Sequence, residues 1–250
     1  MSNSSSDAPL KVVVMGATGP LGSACALHLA AAGHEVACVA RSMQRLAELA
    51  ARSGAPLTLL AGDLSEPGQR GELHGSIEDF LRPGSPAVFL FALGAHGDSP
   101  PGGDEAAARA LVETNLTLPM LEALHWASRL ASWSEQAPAG QFVFFADATT
   151  ASPGPGYHAY AAAKAGIVAL THTLAQSLAP SIRVNAVAPG IMNLKPTARA
   201  DAQERWSARI PLQAIGEPGF IATAVEFLIR HPYLTGVVLP VDGGYSLRRR

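Results

Sequence analysis

The chain has 250 residues, of which 48% are hydrophobic and 15% charged, and its formal net charge is -2. This balance supplies a large core and excludes the basic surface on which nucleic-acid binding depends. Its two cysteines, Cys25 and Cys38, predict buried thiols rather than a disulfide framework, no Cys/His grouping has metal-ligand spacing, and no apolar stretch reaches the length of a membrane span.

Residues 1–9 are polar and lack the apolar region of a signal peptide, so we expect a disordered tail on a cytoplasmic, metal-free protein.

From residue 10 to residue 250, short apolar runs alternate with longer amphipathic runs, which predicts one α/β domain. The predicted strands are 10–15, 35–40, 57–60, 87–92, 141–146, 182–187 and 237–240. The predicted helices are 20–32, 43–53, 68–81, 105–134, 157–178 and 220–230. Continuous apolar runs such as VVVM suit strands buried on both faces, which favours a doubly wound parallel sheet.

Three loops are candidate site loops because of where their strands end. In a doubly wound sheet, ligands bind in the crevice outside the carboxyl ends of the strands. The order of elements places the ends of the first, fourth and fifth strands together. These ends carry GATGPLG at 16–22, LGAHGDSPPGG at 93–103 and ADATTASPGPG at 146–156.

The first of these loops has the composition of a phosphate-binding turn. Its glycines stand between a strand and a helix, where they let the backbone approach phosphate oxygens held by the helix N-terminus. A plain tight turn is the alternative. The candidate cofactor residues in this turn are Gly16, Thr18, Gly19, Leu21 and Gly22.

The end of the second strand indicates which dinucleotide binds. A carboxylate there would hydrogen-bond the ribose of NAD, but this chain has Arg41 and Ser42, which suit the additional phosphate of NADP. Arg45, one helical turn further on, is either a second cation or a solvated side chain. Asp63, followed by Leu64 after the third strand, is a candidate acceptor for the adenine amino group, and a helix cap is its alternative role.

Tyr160 and Lys164 are the candidate catalytic pair. They are four residues apart on a predicted helix, so their side chains share one face. A cation fixed beside the phenol would lower the pKa of Tyr160 and make it a proton donor or acceptor near neutral pH. The alternative is a solvated surface pair.

Together, six separated motifs resemble the short-chain dehydrogenase/reductase family. They are the glycine turn at 16–22, Asp63, Asn115, Tyr160 with Lys164, the segment 185–190 and the segment 235–244. The resemblance, over about residues 10–247, implies a Rossmann fold with seven parallel strands, a nicotinamide cofactor and a homotetramer. It also implies roles for three residues and marks one departure. Tyr160 is the acid/base, Lys164 holds the nicotinamide ribose, Asn115 supports a water-linked proton path, and Asp147 stands where the family usually has a serine. The additional cofactor residues that it implies are Gly94, Pro189 and Gly190.

Asp147 makes the chain similar to the pteridine reductase branch of that family, which includes dihydromonapterin reductase-like enzymes. In that branch the Asp and the Tyr form a proton relay to a pterin ring. Asp147 is otherwise a former of the loop turn. Pro20 departs from the branch, which usually carries an Arg in the glycine turn. The candidate substrate-binding residues are His96, Tyr157, Met192 and Trp206, the last two in a segment that closes over the substrate in the family.

The function expected from these observations is NADPH-dependent reduction of a C=N or C=O group in a small molecule. A dihydropterin is the first expected substrate, and a ketone of secondary metabolism is the alternative. A non-catalytic NADP-binding sensor or scaffold is the alternative from another class.

Overall fold

The computed structural model describes residues 9–81, 86–133, 140–150, 154–192 and 200–247, with side chains omitted for residues 200–202. Within these ranges, seven strands form one parallel sheet in the order β3-β2-β1-β4-β5-β6-β7. The strands are β1 Lys11–Met15, β2 Glu35–Ala40, β3 Leu57–Ala61, β4 Ala87–Phe91, β5 Gly140–Phe145, β6 Ile182–Pro189 and β7 Val238–Val241. The prediction of a single-domain Rossmann-type sheet is confirmed, and β1, β4 and β5 are neighbours as expected.

Helices cover both faces of the sheet. They are α1 Pro20–Ala31, α2 Met43–Ala51, α3 Pro67–Leu81, α4 Glu105–Val112, α5 Leu118–Trp133, α6 His158–Leu178, α7 Ala200–Ser207 and α8 Pro218–Arg230. Alternate residues of β1 enter different cores: Val13 packs on the side of α3, α5 and α6, whereas Val12 packs on the side of α1, α2 and α8. No helix in the described part of the chain has both the length and the apolar character that crossing a bilayer requires.

The predicted helix 105–134 is wrong as a single α-helix. The structure divides it into α4, a π-helical turn at Glu113–Thr117 and α5. The cause is visible in the sequence, because Pro119 has no N–H for the carbonyl of residue 115 and its ring collides with that carbonyl in an α-helix. The wider turn absorbs this conflict, and Leu118 N donates to Glu113 O instead. Asn115 lies inside that turn.

Other differences from the expected elements are smaller. Helix α7 was not predicted, and β6 continues to Pro189, two residues beyond its predicted end. Both cysteines are fully buried, as expected. The predicted tail lies outside the described residues except for Pro9, as do Ser134 at the end of the predicted long helix and residues 193–199 of the segment expected to close over the substrate.

Candidate active site

A cleft of about 1000 Å³ opens at the carboxyl edge of the sheet, where the three candidate loops meet. The predicted site residues that line it are Gly19, Leu21, Gly22, Gly94, His96, Asn115, Asp147, Tyr157, Tyr160, Lys164, Pro189, Gly190, Met192 and Trp206. The predicted site residues outside its lining are Gly16, Thr18, Arg41, Ser42, Asp63 and Leu64. Arg209, Tyr245 and Ser246 also line the cleft, although the sequence did not predict them as site residues.

Tyr160 and Asp147 are joined inside the cleft. The Tyr160 hydroxyl donates a hydrogen bond to Asp147 Oδ2 at 2.7 Å. Tyr160 comes from the first turns of α6, and Asp147 comes from the loop after β5, so the end of the strand and the start of the helix bring them together. This contact is the geometry that a proton relay between the two side chains requires.

Lys164 lies one turn further along α6 and is buried, but it does not hydrogen-bond the phenol. Its Nζ donates to Phe145 O at 2.8 Å and stands 6.0 Å from the centre of the Tyr160 ring. Burial lowers the pKa of Lys164 to about 8, and the charge of Asp147 opposes that shift.

The expected lowering of the Tyr160 pKa is therefore wrong for this structure. Burial, together with the charge and hydrogen bond of Asp147, raises the pKa of Tyr160 above its ordinary value. The expected cation is turned toward the Phe145 carbonyl, while a carboxylate faces the phenol instead. Tyr160 is consequently protonated at neutral pH, which is the state of a proton donor.

Asp147 forms the loop turn that was its alternative role and also contacts Tyr160. Its Oδ1 accepts from Thr149 N at 2.7 Å and from the Thr149 hydroxyl, which is an Asx turn. Its Oδ2 accepts from Tyr160. The turn holds one carboxylate oxygen and so aims the other at the phenol.

Asn115 is fully buried beneath the loop that follows β4. Its Nδ2 donates to Ala95 O and to Leu111 O, both at 2.8 Å, and its Oδ1 accepts from Ala95 N at 3.3 Å. The side chain thus bonds the Leu111 carbonyl near the end of α4 and fastens the loop that carries Gly94 and His96. In this structure the Asn115 side chain positions the loop.

Ser99 fastens the same loop to the start of α6. Ser99 N donates to Gly156 O at 2.6 Å, and Ala159 N donates to Ser99 Oγ at 2.8 Å. Ser99 therefore serves as an N-cap from a distant loop, since α6 has no side-chain cap from its own Tyr157.

This attachment holds His96 near two tyrosines. The His96 ring centre lies 5.0 Å from that of Tyr157 and 4.9 Å from that of Tyr160. The charge of Asp98 raises the pKa of Tyr157, which keeps its phenol neutral. The three rings form an aromatic wall of the cleft beside the Tyr160–Asp147 pair.

The glycine turn fits the phosphates of a dinucleotide. Helix α1 begins after Gly19 without any side-chain cap, so backbone N–H groups of its first turn are available to an anion. Gly16 has φ +85°, and a Cβ there would lie 2.5 Å from Ala92 O, so only glycine lets the turn pack on the end of β4. A Cβ on Gly94 would stand 3.3 Å from Lys164 Nζ and occupy the space above it.

The residues predicted to bind the adenosine half lie beyond the cleft, at the ends of β2 and β3. Arg41 is exposed, while Ser42 caps α2 through its Oγ, which accepts from Arg45 N at 3.3 Å and leaves the hydroxyl proton for another acceptor. Arg45 is not merely solvated, because its Nη2 donates to Thr18 O at 2.8 Å.

Asp63 forms a turn with Ser65, four residues before α3 begins at Pro67, so its side chain does not cap that helix as its alternative role would require. Its Oδ1 accepts from Ser65 N and from the Ser65 hydroxyl. The Ser65 hydroxyl, with a further contribution from the charge of Arg41, holds the pKa of Asp63 below its ordinary value. The side chain of Leu64 is packed in the core.

Comparisons with known proteins agree on one family over nearly the whole chain. A family model described as enoyl-(acyl carrier protein) reductase matches residues 16–246. The 3-oxoacyl-[acyl-carrier-protein] reductase of Rattus norvegicus is 31% identical over 243 residues, which are 94% of this chain and 97% of that protein. The glucose 1-dehydrogenase of Gluconobacter oxydans (strain 621H) is 30% identical over 252 residues, with 95% of this chain and 92% of that protein covered. A solved structure from Sinorhizobium meliloti 1021, provisionally described as a short-chain alcohol dehydrogenase, superposes with a TM-score of 0.86 at 29% identity and covers 98% of this chain and 99% of that chain.

Proposed function

Because the chain belongs to the short-chain dehydrogenase/reductase family, we propose that it is an NADPH-dependent reductase acting on a C=N or C=O group. The observation that carries the proposal is the 2.7 Å hydrogen bond from the Tyr160 hydroxyl to Asp147 Oδ2, in a cleft whose floor also contains buried Lys164. A non-catalytic sensor has no need of a partly buried phenol and carboxylate joined beside a buried ammonium group in its cleft.

The chain's own residues account for binding and orientation of the cofactor. The glycine turn at 16–22 and the start of α1 hold the phosphates, and Arg41 with Ser42 holds the additional phosphate of NADPH. Lys164 orients the nicotinamide ribose. When bound, the cofactor supplies the hydride.

Tyr160 and Asp147 manage the proton. The raised pKa of Tyr160 keeps a proton on its hydroxyl, which gives that proton to the oxygen or nitrogen of the reduced group. Asp147, held by Thr149 through its other oxygen, takes up a proton from solvent in the cleft and passes it to the phenolate that remains on Tyr160.

The first proposed substrate is a dihydropterin. Asp147 replaces the usual serine of the family, and the ring of His96 beside Tyr157 offers a surface on which a flat heterocycle stacks. The second is a carbonyl compound, which is favoured by the relatives named as 3-oxoacyl-[acyl-carrier-protein] reductase and glucose 1-dehydrogenase.

A screen of NADPH oxidation at 340 nm tests the function and separates the two substrates. Dihydropterins are assayed beside a panel of ketones and 3-oxoacyl thioesters. A faster rate of NADPH oxidation with a dihydropterin than with any carbonyl compound supports the first substrate. A faster rate with a carbonyl compound supports the second. No turnover with any of them, at cofactor concentrations where NADPH binds, contradicts the reductase.

The cofactor preference has a separate test. Titration of NADPH and NADH should show tighter binding of NADPH, and Arg41→Ala should remove that difference, since a charged phosphate contact contributes about 1.5–3 kcal/mol, or roughly tenfold or more in affinity. Arg52→Ala is the matched control, because Arg52 is an exposed arginine at the other end of α2. Equal affinities in the unmodified protein contradict the preference.

A homotetramer belongs to the same proposal. Leu121 and Leu124 on α5 and Phe220 and Phe227 on α8 are large exposed apolar side chains, so each of these two helices offers a surface for a second copy. Sedimentation equilibrium measures the assembly, and a monomer at micromolar concentration contradicts it.

A further inference from the structure

Arg209 lines the cleft beside Trp206. Its guanidinium lies over the ring of Trp206, with 4.8 Å from the guanidinium carbon to the ring centre, and both residues line the cleft. Stacking occupies the flat face of a guanidinium and leaves the N–H groups at its edge to bind other acceptors. Trp206 remains 42% exposed, so the stacked pair is accessible from solvent.

The turn that carries Arg209 is anchored to the end of the segment 235–244. Ile210, the next residue, is 2% exposed and packs beneath Gly243, where a Cβ would lie 2.7 Å from Ile210 Cγ2. Leu212 N donates to Gly243 O at 3.1 Å, and Arg209 N donates to Trp206 O at 3.0 Å. The arginine is therefore attached to a rigid part of the fold.

Arg209 also differs from the other charged side chains of the cleft. The lining contains the carboxylate Asp147 and the cations Lys164 and Arg209. Asp147 accepts from Tyr160, and Lys164 donates to a backbone carbonyl. Among the described residues, Arg209 contacts the Trp206 ring and forms no ion pair with a carboxylate. The cleft thus has an excess of positive charge, and one cation in it has donors to spare.

We propose that the substrate carries an anionic oxygen group, a carboxylate or a phosphate, which the edge of the Arg209 guanidinium binds while Trp206 holds the guanidinium in place. Both groups present paired oxygens that match the fork of an arginine. The inference rests on the proposed function, because it concerns the substrate of the same cleft. It assigns Arg209 the selection of the substrate, while Tyr160 and Asp147 carry the proton.

Matched substrate pairs test the proposal. Reduction of 4-oxopentanoate is compared with that of its methyl ester, and reduction of dihydroxyacetone phosphate with that of dihydroxyacetone. In at least one of the two pairs, we expect kcat/KM for the anionic compound to exceed that for the neutral compound by roughly tenfold or more, chiefly through a lower KM. Arg209→Gln should bring the ratio of the two kcat/KM values to about one. Arg209→Lys should keep only part of the preference for the anion, since lysine has the charge without the forked donor geometry. Arg205→Gln is the control, because Arg205 lies on α7 outside the cleft lining.

A binding measurement without turnover separates this proposal from the reductase itself. Trp206 fluorescence is followed with NADP⁺ present while 4-hydroxypentanoate, its methyl ester or inorganic phosphate is added, and Trp206→Phe identifies the signal. Quenching by an anion but not by the ester, lost in Arg209→Gln, supports the anion site even where no substrate is reduced. The carboxylate and phosphate arms show which anion is bound. An anionic-to-neutral ratio that Arg209→Gln leaves unchanged, or quenching that does not depend on Arg209, overturns the proposal even where reduction proceeds.

Discussion

Glu122 and Asp147 both accept hydrogen bonds from aromatic side chains, and Asp147 borders the cleft. Glu122 on α5 is 1% exposed, lies 2.9 Å from His74 Nε2 and accepts from Trp126 Nε1 at 3.3 Å. The His74 ring is stacked on His125, with 3.8 Å between the ring centres. We call Glu122, His74, His125 and Trp126 the Glu122 cluster. Asp147 is half-buried and borders the cleft.

The difference shows what each set of buried polar groups can do. In the Glu122 cluster, His74 and Trp126 both contact the Glu122 carboxylate, which stabilises the contact between α3 and α5. At Asp147, the loop holds one oxygen, and the other accepts a hydrogen bond from a phenol that borders a cavity of about 1000 Å³. A substrate can enter only the second arrangement. Mutations in the two clusters should therefore affect different measurements.

The largest effect is expected for Tyr160→Phe. The ring and the cofactor contacts remain but the proton donor is lost, so turnover should fall by about 10²–10⁴-fold with NADPH affinity close to normal. Steady-state rates and a fluorescence titration of NADPH measure the two quantities. Tyr157→Phe, which also removes a phenol from the cleft wall, should cost less. Full activity of Tyr160→Phe would show that another group carries the proton.

Asp147→Asn should be the next largest, because it separates the two roles of this side chain. The amide oxygen keeps the turn with Thr149, but the amide nitrogen replaces Oδ2 and donates to the phenol instead of accepting from it. We expect a roughly ten- to hundredfold loss of turnover, from a charged hydrogen bond of about 1.5–3 kcal/mol. Thr149→Ala weakens the turn while leaving Oδ2 in place. A silent Asp147→Asn beside an impaired Thr149→Ala would leave Asp147 as a turn former alone.

Glu122→Ala should change stability and leave turnover per folded molecule as it was. The variant deprives Trp126 Nε1 and His74 of their buried acceptor, which costs about 1–3 kcal/mol of the free energy of unfolding in a urea titration. Glu78→Ala is the matched control, since it breaks the more exposed pair with Arg129 and should cost about 1 kcal/mol or less. Equal losses in the two variants would contradict the difference drawn between buried and exposed pairs.

The smallest effect is a pH dependence of stability at the Glu122 cluster. Burial, and next the charge of His74, lower the pKa of His125 below its ordinary 6.5. As the pH falls below about 6.5, the unfolded chain takes up a proton that the folded protein resists, so the free energy of unfolding decreases. Unfolding curves between about pH 7 and pH 5 measure this slope, and His125→Phe, which keeps a flat ring, should make it shallower. His34, whose pKa burial also lowers, should contribute to the slope that remains. An unchanged slope in His125→Phe would assign the effect elsewhere.

Local patterns predicted most of the framework. All seven strands were expected within one or two residues of their observed ends, because buried parallel strands are short apolar runs between turn residues. The three site loops followed from strand order alone. The π-helical turn at Glu113–Thr117 had a signal in Pro119 that the helical periodicity concealed. Helix α7 had none of the apolar periodicity by which a helix is recognised, since it is polar over most of its length.

The sequence itself determines which groups are present: Tyr160 and Lys164 four residues apart, Asp147, and Arg41 after β2. What the tertiary structure decided is how these groups act on each other. Burial together with Asp147 raises the Tyr160 pKa, because Lys164 is turned to the Phe145 carbonyl, and helical spacing cannot reveal that orientation. Arg209 enters the cleft because Ile210 is anchored beneath Gly243, a contact between segments more than thirty residues apart. The electrostatics of a site depend on such long-range packing, whereas the individual strands and helices are predicted from residues that are neighbours along the chain.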